Sequence, residues 1–210
     1  MAFKIFGKIP IMSRLPAITR EQFTEAQRRL FDAITLGKRA EGRPVKAFLT
    51  PEGALRGPFN AFMFSPELGH AAQQLGVAVR YGTSIPPRCR ELVILMVAAQ
   101  WQAEYEWWAH VKIAHREGLA DHIIESVRVG KQPNFSDPTE SLVYRFVREL
   151  MEVHRISDAL YRQAVQLLGE PGVVELVILV GYYYLVSMTL NVFEIQLPPG
   201  EKQAFGDSLE

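Results

Sequence analysis

One cysteine, Cys89, stands in a chain of 210 residues. That excludes an internal disulfide and any metal site built from cysteines alone, and it fits a reducing compartment, so the expected location is cytoplasmic. Neither charge is in surplus: 23 Lys and Arg face 23 Asp and Glu, for a formal net charge of zero. Phosphate backbones attract a basic surplus, and Arg28-Arg29 and Lys38-Arg39 are only short pairs, so nucleic acid is not an expected partner. The start, MAFKIFGKIPIM, has no sustained apolar run and no small-residue cleavage site, so it does not read as a secretory leader. Met12 opens a more conventional beginning, and residues 1–18 read as an N-terminal arm. Alternating apolar and polar residues, the mark of a half-buried strand, are missing throughout.

What remains is helical. Apolar residues make up 48% of the chain and charged residues 22%, as in an ordinary soluble domain. Phe23, Ala26, Leu30, Phe31 and Ile34 recur at helical spacing and predict a helix over 19–41. Glycines and prolines break 42–60 into turns. Ser65-Pro66-Glu67 opens a helix reaching about Tyr81. Further helices are expected over 88–100, 104–117, 121–129, 139–154 and 157–168, with a break at 169–172, a last helix, and an extended polar tail from Pro198. The fold class is all-α, with one domain over 19–200 and a tail over 201–210. Residues 176–193 carry no charge. This is the lower limit for a membrane span, but Gly181, Ser187, Thr189 and Asn191 interrupt it and Glu175 and Glu194 bracket it. We read it as a core or subunit-interface helix, with no membrane partner.

The sequence ELVIL occurs twice, from Glu91 and from Glu175. After the first copy, Glu106 and His110 follow at offsets of fifteen and nineteen residues; the second copy has Leu190 and Glu194 there. The scaffold is repeated and the polar equipment is not, as expected if a helical unit was duplicated. The second copy is either structural or lines the pocket that the first copy serves. Glu106 and His110, four apart, share a helix face. A carboxylate beside an imidazole among Tyr105, Trp107 and Trp108 is suited to acid–base work near neutral pH, and Glu91 reaches the same spot if the chain bends near Ala103. The alternative is an ordinary exposed helix pair. No third metal ligand accompanies them, so neither a metal nor a cofactor is expected.

Three stretches in order, GPFNAFMFSPELGHAAQQLG (57–76), PPRCRELVILMVAAQWQAEYEWWAHVKIAHREGL (86–119) and VELVILVGYYYLVSMTLNVFEIQLPPG (174–200), resemble the carboxymuconolactone decarboxylase family, which also holds the AhpD-like alkylhydroperoxidases. The resemblance implies an all-helical fold assembled as trimers or hexamers. The peroxidase branch carries a Glu, a Cys-x-x-Cys pair and a His. Laid on this chain they fall on Glu91, Ala103, Glu106 and His110, so both thiols are missing. The decarboxylase branch does without them and is the closer match. It implies loss of CO2 from a small carboxylated lactone, with His110 as proton donor, Glu106 orienting it and Glu91 as a second acid–base group. Arg80 or Arg88 is the candidate for the substrate carboxylate, and Trp107, Asn60 and His70 are further pocket candidates. The competing readings are a hydrolase or isomerase using the same residues, a thiol peroxidase, and a non-catalytic oligomeric binding protein.

Overall fold

In the computed structural model, which describes residues 13–206, the polypeptide forms eight α-helices. They are α1 (Glu25–Thr35), α2 (Pro58–Phe62), α3 (Pro66–Tyr81), α4 (Pro87–Gln100), α5 (Glu104–Arg116), α6 (Asp121–Arg128), α7 (Pro138–Val153) and α8 (Asp158–Val192). The β structure among the described residues is a single isolated bridge between Leu49 and Leu55. Met12 and residues 1–11, the proposed alternative start and its extension, lie outside the described residues.

Local chemistry sets the helix starts. Thr24 and Gln27 cap α1 reciprocally: the Thr24 side chain accepts from Gln27 N, and the Gln27 side chain accepts from Thr24 N. That cap explains why the helix expected over 19–41 is shorter. Thr19 instead heads one 3₁₀ turn, Arg20–Gln22, and a second turn, Lys38–Ala40, follows Gly37. Asp137 caps α7 with Pro138 in the first turn.

The hub is α4, buried on every side from Glu91 to Ala98. It packs against α5, α6, α7 and α8, and α3 and α5 also meet α8. Full burial of Leu92, Ile94 and Leu95 stabilises the fold by roughly 1.5–3 kcal/mol each before entropy is counted. A second apolar cluster, with Leu30, Phe31, Ile34, Phe48 and Met63, joins α1 to the turns before α2 and to the end of α2.

The break expected before the last helix is present: Gly169 has non-helical angles (φ 71°, ψ 166°) and divides α8 into two helical runs, with Pro171 just inside the second. The tail is not loose up to residue 206: Ala204 N and Phe205 N donate to Glu104, and the Phe205 ring packs edge-on against Trp107 at 5.2 Å.

Candidate active site

The site depends on a reversal of the chain. After α4, Gln102 takes a left-handed conformation (φ 47°), and α5 runs back along α4. Asn191 of α8 holds the turn by donating to Trp101 O at 2.6 Å. The reversal brings His110 onto Glu91: Nδ1 donates to Oε2 of Glu91 at 2.6 Å, and Nε2 lies 3.1 Å from Oε1 of Glu106. All three side chains are buried. Arg80, at the end of α3, brings a terminal nitrogen to 4.0 Å from the other Glu91 oxygen, which accepts no hydrogen bond. Tyr183 of α8 stands edge-on to the imidazole at 5.3 Å.

Burial opposes the charge of each partner, but the pairing outweighs it. For Glu91, the imidazole of His110, its hydrogen bond and the nearby guanidiniums of Arg80 and Arg90 hold the carboxyl below its ordinary range. For His110, burial is outweighed by Glu91 and Glu106, and the imidazole is pushed above its ordinary value. Burial drives the Tyr183 hydroxyl far up, against the pull of Arg80, so it stays neutral. The network is therefore an imidazole bridging two glutamates, its charged form favoured by them, with a guanidinium and a neutral phenol beside it.

These groups line a cavity of about 940 Å³, walled by the 38–59 segment, the end of α3, α4, α5 and α8. Eight of its lining residues are Lys or Arg and four are Glu, a local positive excess in a neutral chain. Glu91, Glu106, His110 and Arg80 thus come together in one pocket. The other candidates do not. Arg88 turns away to pair with Asp137 at 2.7 Å and with Glu140, fastening α4 to α7. Trp107 faces the core and the tail, while its neighbour Trp108 lines the cavity beneath Lys112. Asn60 is a brace: its side chain accepts from Ile18 N and donates to Pro16 O, tying the arm to α2. His70 lies on α3 outside the lining.

Sequence reasoning misses Arg39, Tyr182 and Tyr183. The two tyrosines come from the second ELVIL helix, which lines the pocket of the first. Glu175, the counterpart of Glu91, does something different. It accepts from the Ser84 backbone and hydroxyl, anchoring the α3–α4 turn. Cys89 is buried, lies outside the lining, and its thiol is pushed up to about 12, chiefly by burial.

Comparison with known proteins gives the class first. The fold is AhpD-like: a solved structure from Agrobacterium tumefaciens, described as a protein of unknown function and a candidate antioxidant defence protein AhpD, superposes with a TM-score of 0.59. The two share 17% identity, over 68% of this chain and 99% of that chain. Residues 66–149 match the model of the carboxymuconolactone decarboxylase family. No match was found among curated proteins. With one cysteine in the sequence, the chain has no Cys-x-x-Cys pair.

Proposed function

We propose that the protein is a cofactor-free acid–base enzyme acting on a small carboxylated lactone or related ring compound, and that its reaction is decarboxylation. The observation that carries this reading is the buried imidazole of His110, held between Glu91 and Glu106 in a cation-rich cavity. Decarboxylation breaks a carbon–carbon bond, releases CO2 and leaves the electron pair in the ring as a dienolate. A ring carbon then takes a proton. In our reading His110 supplies it, Glu106 orients the ring and shares the proton on Nε2, and Glu91 keeps the imidazole charged for the next turnover. Arg80 supplies positive charge near the developing enolate. The unsaturated lactone is its own electron sink. A hydrolase or isomerase would draw on the same groups. Thiol peroxidation is disfavoured by Ala103 and Glu106 at the cysteine positions and by the buried, protonated thiol of Cys89.

The test is CO2 release from γ-carboxymuconolactone by the native protein and by His110→Ala. We expect release by the native protein and a loss of about 10²-fold or more in the variant, in line with removal of a general acid. Equal rates, or no release by the native protein, would retire the reaction.

We further propose that the protein works as a homo-oligomer, a trimer or hexamer, with α8 at the contact. In support, Val174, Val177, Ile178, Leu185, Met188 and Val192 are exposed apolar residues at helical spacing along it.

A further inference from the structure

The observation is a buried cation without a counter-ion. Arg39 is only 9% exposed. It makes no ion pair with a carboxylate among the described residues, and its Nε and Nη2 have no hydrogen-bond partner. Its guanidinium lies over the Phe59 ring at 5.1 Å, which offsets part of its desolvation. Arg80, by contrast, has Glu91 as its anion. A charge taken out of water and left unpaired is costly, and a folded protein keeps one where something else supplies the opposite charge.

The surroundings are arranged around this charge. Tyr182 of α8 approaches the same point, and both side chains line the cavity. They fit because residue 76 is glycine: a Cβ there would fall 2.1 Å from the Tyr182 hydroxyl and 2.8 Å from Arg39 Nη2. Burial raises the Tyr182 hydroxyl, with Arg39 pulling the other way, so the phenol remains neutral and does not cancel the charge. Arg39 and Tyr182 both lie outside residues 66–149, the segment that matches the family model.

We infer that Arg39 and Tyr182 form an oxyanion subsite, separate from the Glu91–His110–Glu106 network, that holds a carboxylate or phosphate on the non-reacting part of the substrate. The guanidinium supplies charge and the hydroxyl a second donor. The anion held here is not the group that leaves as CO2, because a leaving carboxylate bound this tightly would be stabilised in the ground state. The inference rests on the proposed reaction only for the identity of the ligand as substrate; the subsite itself can be tested by binding.

The experiment is calorimetric titration of the full chain with phthalate and with phenyl phosphate, using benzyl alcohol as the uncharged control. Native protein, Arg39→Met, Tyr182→Phe and His110→Ala are compared, and each variant is melted without ligand. We expect saturable binding of at least one anion to native protein and to His110→Ala. We expect at least tenfold weaker binding to Arg39→Met, a smaller loss in Tyr182→Phe, and no binding of the alcohol. The anion preferred identifies the group as carboxylate or phosphate. Ligand-free Arg39→Met should melt at or above the native temperature, since an unpaired buried charge has been removed. Three results would overturn the subsite: no saturable binding of either anion to native protein, equal binding by Arg39→Met, or a ligand-free Arg39→Met that melts several degrees lower or fails to fold. Arg39-dependent binding without CO2 release would remove the reaction and leave the subsite. CO2 release with a KM unaffected by Arg39→Met would do the reverse.

Discussion

Glu91 is the residue on which the rest of the site turns, because it is buried and bonded at 2.6 Å to a base nineteen positions away in sequence. The two shifts act on stability in opposite directions of pH. His110 has a folded pKa raised above its ordinary 6.5, so its contribution is full below that value and is lost as pH rises through the raised pKa. Glu91 is lowered below its ordinary 4.5, so its contribution is full above that value and is lost as pH falls through the lowered pKa. We predict a plateau of melting temperature between 4.5 and 6.5, with both declines displaced outward. In Glu91→Gln the alkaline decline moves to lower pH, and NMR shows His110 titrating at lower pH. Glu91→Ala, which breaks the buried pair with His110 and removes the anion beside Arg80, costs about 3–5 kcal/mol. An unchanged His110 titration in Glu91→Gln would contradict this account. The Glu106–His110 pair is legible from its spacing, and Glu91 from the repeat. Arg39 and Tyr182 are not, since nothing local links residues so far apart. Arg88 misleads because nearness to the motif in sequence says nothing about which side of a helix start a guanidinium leaves from.

Among the helices, α8 serves two purposes on two faces. Its inner face supplies Tyr182, Tyr183 and Val186 to the cavity, while its outer face is apolar and uncovered. It is long and apolar enough to cross a membrane, with a mean hydropathy of 1.8 over a window that is 50% buried inside the protein. If another copy covers the outer face, light scattering should give a multiple of the chain mass, and Ile178→Asp should shift it to the monomer with catalysis per chain reduced. A monomeric native protein would remove the assembly, and partition into detergent would point to lipid instead. The helices themselves are largely readable, because proline, glycine and capping residues mark most of their ends. The exceptions have physical causes. Thr19 and Thr24 compete as caps, so sequence pattern overstates the length of the first helix. The tail is held by Glu104 and Trp107, partners that its own composition does not reveal.

For the molecule as a whole, the formal net charge of zero conceals a separation. The cavity gathers eight cations against four carboxylates, so the remaining surface carries the balancing negative charge. A neutral protein of this kind still exerts a field of one sign at its entrance. An approaching anion would be drawn in over distances of about 10 Å at 0.1 M salt and hardly at all at 1 M, while an uncharged analogue would not respond. Stopped-flow association of phthalate should therefore slow as salt is added, with the dissociation rate changing less. A salt-independent association rate would mean that the outer carboxylates cancel the field before the ligand arrives. The balance of charges that argues against nucleic acid as a partner is thus compatible with fast, salt-sensitive capture of small anions.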